Sequence, residues 1–241
     1  MSYKQITPPL FIKLYQKIQI DCLRRANRAR TAKDVFTRIY KRNIWGGKPR
    51  QYHSGDGSTE YHAFLYANAV KTFIKERRIT NVVDLGCGDF IIGSKLQMDK
   101  LKYIGVDIVD DLIKRNHEKY GTTDIEFQCL DIISDELPNA ELCLIRQVLQ
   151  HLSNSQIISI LHKIKKYRYV LITEHYPAPR VHFSPNKDKP HGPDTRLYDN
   201  SAVCLDLPPF NMKISKILLE VDPYPNLANQ GGKIKTFLIE N

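Results

Sequence analysis

The chain has 241 residues, 42% of them hydrophobic, and a formal net charge of +10 at pH 7. This length and apolar content suit one α/β domain with a full core and an added segment. No run approaches the ~20 apolar residues that cross a bilayer, and no signal pattern opens the chain, so we expect a cytoplasmic protein without a transmembrane segment. The five cysteines are scattered, which predicts reduced thiols and neither a disulfide framework nor a metal site.

The positive charge is concentrated at the start of the chain. Residues 1–50 contain 13 Lys and Arg against only Asp21 and Asp34, whereas the other 191 residues hold 23 basic and 24 acidic side chains. Such an arm is typical of proteins that bind nucleic acid, a membrane surface or phosphate, but it also fits a solvated helical extension. Apolar residues recur in it at helical spacing, so we expect it to pack on the protein; they are Phe11, Leu14, Tyr15 and Ile18.

Apolar periodicity predicts helices at 9–29 and 33–45, and a third helix that ends near Arg78. From residue 81 onward, strands and helices alternate. The expected strands are 81–85, 103–108, 125–130, 141–146 and 168–174. The expected helices between them are 90–98, 110–119 and 154–166. This alternation predicts a parallel sheet with the ligand site at the carboxyl ends of its strands.

Two last strands are expected at 214–222 and 232–240. No helix fits between them, so they should pair antiparallel. The predicted fold is α/β, with a doubly wound, mostly parallel seven-stranded sheet, an antiparallel final strand and an N-terminal helical extension. The predicted domains are the basic extension, 1–53, and a catalytic domain, 54–241.

The most informative stretch is Val82-Val83-Asp84-Leu85-Gly86-Cys87-Gly88, a buried strand that ends in an acid and breaks into a Gly-x-Gly turn. Glycines let the backbone pass close to a ligand, and a helix that follows would direct free N–H groups toward it. Asp84 would repel a dinucleotide pyrophosphate and attract an ammonium or sulfonium group. Ile91 also replaces the third glycine of the dinucleotide pattern. The stretch therefore favours S-adenosylmethionine over NAD.

These features resemble the class I (Rossmann-like) S-adenosylmethionine-dependent methyltransferases, over about residues 54–240. In that family the glycine loop passes the methionine part of the cofactor. The resemblance implies that Asp84 neighbours the cofactor's amino group, that Asp107 accepts hydrogen bonds from the ribose, and that Asp131 and Ile132 hold the adenine. The implied cofactor-binding residues are Asp84, Gly86, Cys87, Gly88, Asp107, Ile108, Asp131, Ile132, Arg146 and Gln147.

The same edge of the sheet should also hold the methyl acceptor. The fourth strand leads into Gln147-Val148-Leu149-Gln150-His151, and the fifth ends in Thr173-Glu174-His175. An imidazole can take a proton from a hydroxyl near neutral pH, so His151, His175 and Glu174 are the catalytic candidates. Either histidine could instead have a structural role. The cofactor's sulfonium is already activated, so the protein mainly aligns the acceptor and excludes water.

Two further segments are expected to shape the acceptor site. The first is the glycine-rich loop that begins with Tyr52, His53 and Ser54, which can fold over a ligand. The second is 186–196, in which Lys187, Lys189 and Arg196 could clamp a phosphate or carboxylate. A solvated surface loop is the alternative for this second segment.

The loop 54–58, the run 146–153 and the end of the fifth strand together resemble bacterial methyltransferases of surface-polysaccharide and secondary-metabolite pathways. That resemblance implies O-methylation of a small, anionic acceptor, such as a sugar, a nucleotide-linked or a phosphate-type intermediate of capsule synthesis, with S-adenosylhomocysteine as the other product. Three alternatives remain open: an RNA methyltransferase that grips RNA through the basic arm, a non-catalytic scaffold of this fold, and an NAD-dependent dehydrogenase.

Overall fold

The computed structural model describes residues 9–48, 52–55, 60–178, 182–223 and 232–241. Within these residues it contains five α-helices and seven strands. The helices are α1 Pro9–Asn27, α2 Ala32–Lys41, α3 Glu60–Arg77, α4 Asp110–Tyr120 and α5 Asn154–Lys163. The strands are β1 Asn81–Leu85, β2 Lys102–Asp107, β3 Ile125–Cys129, β4 Leu142–Arg146, β5 Tyr169–Tyr176, β6 Lys216–Val221 and β7 Lys233–Glu240. In the described part of the chain, no helix combines the length and apolar character needed to cross a membrane.

The seven strands form one mixed sheet in the order β3-β2-β1-β4-β5-β7-β6. Strands β1 to β5 pair in parallel, and β7 is antiparallel to both β5 and β6. This arrangement confirms the mostly parallel sheet and the antiparallel final strand. The strand order reverses between β1 and β4, so a crevice opens there at the carboxyl ends of the strands.

Alternate residues of the central strands belong to two different cores. Val83 and Ile145 pack with the helix α5 side, whereas Val82, Leu142 and Leu144 pack with the helix α3 side. Successive side chains of a strand point to opposite faces, so a strand covered on both faces has an almost continuous apolar sequence. This explains why the central strands were readily recognised from the sequence.

The helix predicted at 90–98 is wrong. The described chain has only a short 3₁₀ turn, Gly93–Leu96, between β1 and β2. Phe90 adopts a left-handed φ of 65°, which an α-helix does not accommodate. Its ring packs instead against the rings of Tyr103, Tyr120 and Phe127, with centroids 4.9–5.2 Å away. Phe90 and Leu96, two of the apolar residues that suggested a helix, are core residues of this irregular segment.

Helix α2 lies beside the amino end of α4. The hydroxyl of Thr31 caps α2 by accepting a hydrogen bond from Asp34 N at 3.1 Å. Lys33 pairs with Asp110 at 2.7 Å, and Lys41 pairs with Asp111 at 3.3 Å. These exposed ion pairs contribute little stability individually, but they place α2 above the carboxyl end of β2.

Candidate active site

A cleft runs along the carboxyl ends of β1, β2 and β4. Its empty volume is about 1010 Å³, including the part that is open to solvent. The residues that line it are Ala32, Phe36, Tyr40, Trp45, Ser54, Tyr66, Asp84, Gly86, Cys87, Gly88, Asp89, Ile92, Asp107, Ile108, Leu130, Asp131, Ile132, Ile133, Arg146, Gln147, Val148, His151 and Leu152.

The loop after β1 requires glycine at two positions. Gly86 has a φ of +83°, and a Cβ there would lie 2.4 Å from Cγ2 of Val148. Gly88 has a φ of +56°, and a Cβ would lie 2.4 Å from Oγ of Ser54. Both the backbone conformation and the available space therefore exclude a side chain. The three residues of this loop line the cleft.

The amide groups of this loop are held by the protein itself. Gly86 N and Cys87 N donate to Val106 O at 2.7 and 2.9 Å, and Gly88 N donates to Oδ2 of Asp107 at 3.1 Å. The expectation that a new helix would direct free N–H groups at the ligand is therefore wrong as well. Ligand binding at this loop depends on close backbone approach and on neighbouring carboxylates.

Asp84 and Asp107 lie at the ends of adjacent strands and both are buried. Burial raises the pKa of each carboxyl group to about 6. A hydrogen bond from the Tyr103 hydroxyl, at 2.5 Å, lowers the pKa of Asp84 against that effect, as does the Arg146 charge. Hydrogen bonds from backbone N–H groups, among them that of Val109 at 3.1 Å, likewise lower the pKa of Asp107. Both groups are carboxylates at neutral pH and face a cleft in which a polar ligand would find them.

Ser54 ties the loop before α3 to the glycine loop. Its backbone N–H donates to Oδ2 of Asp89 at 3.0 Å, and Asp89 N donates back to the Ser54 hydroxyl at 2.9 Å. The hydroxyl of Tyr40 lies 3.0 Å from the same Ser54 oxygen. On the other side, Asn116 of α4 donates to Gly88 O at 2.7 Å. The glycine loop is therefore held by side chains on two sides.

Arg146 is the basic residue of the cleft lining. Its guanidinium lies 5.2 Å from the centre of the Tyr66 ring, in a cation–π geometry. Burial lowers its pKa, and the nearby Tyr66, Asp84 and Glu174 raise it. Gln147, the next residue, has a left-handed φ of 55° and donates its N–H to Thr173 O at 2.7 Å. This backbone turn ends β4 and directs the following residues along the cleft.

His151 lies in a short 3₁₀ turn, Leu149–His151, at the far side of the cleft. Its Nδ1 is 3.2 Å from Gly192 O. A carbonyl only accepts, so Nδ1 must carry the proton, and Nε2 of the neutral ring is unprotonated. Burial, followed by the positive charge of Lys189, lowers the pKa of His151 to about 3. The imidazole is thus neutral, with one defined tautomer.

The other two catalytic candidates do not line the cleft. Glu174 is fully buried, and its Oε1 accepts a hydrogen bond from Leu149 N at 3.0 Å. Burial raises its pKa to about 8, so it is mostly protonated at neutral pH. His175 is buried in β5 opposite Ile234 of β7. All three residues lie near the ends of β4 and β5 in the sequence, but among them only His151 lines the cleft.

The three basic residues predicted to clamp an anion also lie outside the cleft lining. Lys187 is half exposed, 3.9 Å from Asp199. Lys189 is buried, 3.7 Å from Asp194. Arg196 is buried, and its guanidinium donates to Lys187 O and to Leu152 O. Their charges are used within the protein, in holding the segment that covers His151.

All ten residues predicted to bind the cofactor line the cleft. Asp131 has a turn role as well, because its Oδ1 accepts a hydrogen bond from Ile133 N at 2.9 Å. Of the predicted substrate residues in the loop before α3, Ser54 lines the cleft. Tyr52 packs against Tyr40 with ring centroids 6.0 Å apart, and His53 is partly buried outside the lining.

A group of lining residues precedes the predicted catalytic domain and was not predicted from the sequence. Ala32, Phe36 and Tyr40 lie one turn apart on α2, and Trp45 follows them with its ring 5.0 Å from that of His151. The i, i+4, i+8 spacing of these residues is the signal that could have identified them. One face of α2 forms the roof of the cleft, over the carboxyl end of β2.

No protein-family model matches the chain, and a search of curated proteins finds no relative of it. Comparison with solved structures does find matches. The N-methyltransferase NodS from Bradyrhizobium japonicum WM9, in complex with S-adenosyl-L-homocysteine, is 12% identical with a TM-score of 0.58. The match covers 84% of this chain and 97% of that one. The chain has the Rossmann-like fold of such methyltransferases.

Two further structures share the fold. Human N-acetylserotonin methyltransferase, in complex with S-adenosylmethionine, is 14% identical with a TM-score of 0.51, and the match covers 88% of this chain but only 60% of that one. The N-terminal domain of EvdMO1, with S-adenosylhomocysteine bound, is 12% identical with a TM-score of 0.50 and covers 85% and 95%. These matches concern the fold, and they span N-methyltransferases as well as other members.

Proposed function

We propose that this protein transfers the methyl group of S-adenosylmethionine to a hydroxyl group of a small molecule. The observation that carries the proposal is the convergence of the Gly-x-Gly loop Gly86–Gly88 with two buried carboxylates, Asp84 and Asp107, at the reversal point of the sheet. The fold shared with structures that hold S-adenosylmethionine or S-adenosylhomocysteine supports the same conclusion.

The residues present fit this cofactor. Asp84 is suited to an ammonium group, and Asp107 can accept hydrogen bonds from two vicinal hydroxyls while Gly88 N and Val109 N orient it. The glycines allow a ligand to approach the main chain of the loop to van der Waals distance. S-adenosylmethionine supplies a methyl group that is already activated by its sulfonium, so the protein's main tasks are alignment and exclusion of water.

His151 is the group that we assign to the acceptor. In its neutral tautomer Nε2 accepts a hydrogen bond from the acceptor hydroxyl and orients the oxygen lone pair for attack. The hydroxyl proton becomes strongly acidic as the oxygen gains the methyl group, so even a weakly basic nitrogen can take it at that stage. Trp45 packs on the imidazole and keeps water from its face.

The charge of the cleft favours an uncharged or cationic acceptor. Four carboxylates line it against the guanidinium of Arg146; they are those of Asp84, Asp89, Asp107 and Asp131. The prediction of an anionic acceptor depended on three basic residues that do not line the cleft; they are Lys187, Lys189 and Arg196. A role in capsule or surface glycan synthesis therefore stays a prediction, with neutral sugar hydroxyls better supported than phosphate groups.

An amine acceptor is a second candidate. The carboxylates that line the cleft would attract an ammonium group before it loses its proton. NodS, which shares the fold, is named as an N-methyltransferase. An amine and a hydroxyl are distinguished by mass spectrometry of the methylated product.

Calorimetric titration with S-adenosylmethionine, S-adenosylhomocysteine and NAD tests the proposal. We expect micromolar binding of both adenosyl compounds and none of NAD. Gly86→Val should abolish binding, because a side chain there would clash with Val148 and strain the left-handed backbone of the loop. Absence of binding to either adenosyl compound would leave the non-catalytic scaffold as the better interpretation, and binding of NAD alone would favour a dehydrogenase.

The acceptor is then sought by incubating the protein with S-adenosylmethionine and sets of neutral sugars, phenols, amines and phosphorylated sugars. Formation of S-adenosylhomocysteine reports turnover. His151→Gln should lower turnover by about 10²-fold or more while leaving the affinity for S-adenosylmethionine within about twofold. Equal turnover of this variant would exclude His151 from the reaction.

A further inference from the structure

The residues 189–199 form a segment that we call the strap, and it lies directly on His151. Gly192 N donates to His151 O at 2.9 Å, and Nδ1 of His151 is 3.2 Å from Gly192 O. One residue of the strap therefore holds both the backbone and the side chain of His151. The other ring nitrogen, Nε2, is 3.5 Å from the Gln150 amide nitrogen. A shift of the strap would remove the partner of Nδ1 and leave this longer contact as the remaining hydrogen bond that defines the tautomer.

Trp45 secures the strap from the side of α2. Its indole N–H donates to Pro193 O at 3.1 Å, next to the carbonyl that His151 contacts. The same indole ring lies 5.0 Å from the imidazole. Trp45 thus joins the strap, the imidazole and the roof of the cleft.

The end of α1 grips the strap more strongly. Arg24 contacts Oδ2 of Asp194 through Nε at 3.0 Å and Nη2 at 2.8 Å, and Nη2 also lies 2.5 Å from Asp199. Arg24 and Asp194 are both largely buried, with side-chain exposures of 14% and 6%. Charge-assisted hydrogen bonds with this burial are among the stronger side-chain contacts of a protein.

Other contacts confine the same region. A Cβ on Gly192 would lie 3.0 Å from Nδ2 of Asn27, so the strap packs closely on the last turn of α1. His191 Nε2 is 3.1 Å from Arg30 O, just beyond that turn. The strap also carries two basic side chains. Lys189 lies 3.7 Å from Asp194, and the Arg196 guanidinium donates to Leu152 O at 2.7 Å.

We propose that the end of α1 is a positioning device for His151. Arg24, through Asp194, holds the strap so that the Gly192 carbonyl keeps the proton on Nδ1 and leaves Nε2 unprotonated. The catalytic use of this tautomer rests on the proposed function, but the tautomer itself does not. The N-terminal helix is thereby part of the active-site machinery, and the predicted basic extension has a role beyond its charge.

The surroundings of the imidazole have opposing effects on the pKa of His151. Lys189 is the charged side chain that lowers the pKa of His151, after burial, whereas the backbone carbonyls of Gly192, Pro193 and Asp194 raise it. Loosening of the strap admits water to the imidazole and withdraws these carbonyls. Burial lowers the pKa of His151 by more than the carbonyls raise it. That pKa should therefore rise when the strap is released.

Nitrogen NMR of ¹⁵N-histidine-labelled protein tests the proposal, with His151→Gln used to assign the resonances. In the wild type we expect His151 to occupy the Nδ1–H tautomer alone and to remain neutral down to about pH 4. In Arg24→Met we expect a mixture of tautomers and a pKa raised by at least about one unit. Arg24→Lys, which restores the charge, should return most of the wild-type signal. Arg25→Met, on the exposed side of the same helix, is the matched control and should change nothing.

Trp45→Phe is the second variant, in case Arg24→Met does not fold. It removes one hydrogen bond to the strap and keeps an aromatic ring on His151, so it should give a smaller shift in the same direction. A single Nδ1–H tautomer in folded Arg24→Met or in Trp45→Phe, with an unchanged pKa, would overturn the proposal. These spectra need no acceptor, so a protein without methyl transfer activity would refute the proposed function and leave the positioning device standing. Once an acceptor is known, Arg24→Met should lower kcat more than it changes KM for S-adenosylmethionine.

Discussion

Asp84 and Asp107 are carboxyl groups that the fold keeps buried at the mouth of adjacent strands. Their pKa values of about 6 mean that both ionise just below neutral pH. A ligand that contacts them through an ammonium group and through hydroxyls needs the ionised forms. Binding of such a ligand is therefore linked to the release of protons when the pH is below 6.

We expect the affinity for S-adenosylmethionine to be constant above about pH 7 and to fall as the pH drops through 6. The loss should reach up to about tenfold per pH unit for each carboxylate that must ionise. Asp107→Asn should bind more weakly at pH 8 and show a shallower pH dependence, because only Asp84 then titrates. Calorimetry between pH 5 and 8 measures both quantities. A dissociation constant that does not change with pH, or an unaltered affinity in Asp107→Asn, would exclude Asp107 as the ribose ligand.

Glu174 joins two elements, because it lies in β5 and accepts a hydrogen bond from the turn that follows β4. Its second oxygen, Oε2, has no hydrogen-bond partner among the described residues. Burial raises its pKa to about 8, far above that of an exposed glutamate. Glu174 is therefore mostly protonated in the folded protein at neutral pH.

This group should make the protein less stable as the pH rises. Between the unfolded pKa, near 4.5, and the folded pKa, about 8, the native state binds one more proton than the unfolded state. The free energy of unfolding then falls by about 1.4 kcal/mol per pH unit from this group alone. Glu174→Gln keeps the shape and removes the titration, so the slope should flatten by that amount. Urea unfolding of both proteins at pH 6, 7 and 8 measures it, and equal slopes would show that Glu174 is ionised in the native state.

The same variant tests the prediction that Glu174 is catalytic. It does not line the cleft, so Glu174→Gln should keep turnover at neutral pH within about threefold. A loss as large as that of His151→Gln would return Glu174 to the catalytic group.

Elements built from continuous apolar runs could be predicted from the sequence, and those set by long-range contacts could not. The central strands and the Gly86–Gly88 turn have local signals, because burial on both faces and left-handed φ values restrict the residue types. The loop after β1 was misjudged because the packing of Phe90 depends on Tyr103 and Phe127, which are distant in sequence. The spacing of apolar residues indicates that a segment has an apolar face, but it does not indicate which residues pack against that face.

The acceptor side of the site was predicted less completely for the same reason. His151 was found because it follows a strand end, yet the partner of its Nδ1 is 41 residues away. The basic residues of the strap resemble an anion clamp when they are considered alone. Their acidic partners Asp194 and Asp199 are nearby in sequence, but Arg24, which completes the cluster, belongs to α1.

At the scale of the whole molecule, part of the charge of the N-terminal arm is engaged in ion pairs with the rest of the protein, one largely buried and two exposed. Arg24 pairs with Asp194 and Asp199, Lys33 with Asp110, and Lys41 with Asp111. These pairs join residues 24–41 to both sides of the cleft. They weaken the case for the arm as an RNA grip, because the paired side chains are already engaged, and they favour a structural role for the region.

Reversal of charge at two exposed residues, Arg25 on α1 and Arg28 directly after it, separates a structural arm from an RNA grip. If the acceptor is a small molecule bound in the cleft, Arg25→Glu with Arg28→Glu should keep S-adenosylmethionine affinity and turnover within about twofold, since neither side chain borders the cleft. Fluorescence anisotropy with a short RNA then gives the dependence of binding on salt. We expect weak binding and no RNA methylation. The RNA alternative instead requires tight binding whose log–log salt slope falls by about two in the double variant, roughly one per lost phosphate contact, together with a loss of methylated RNA.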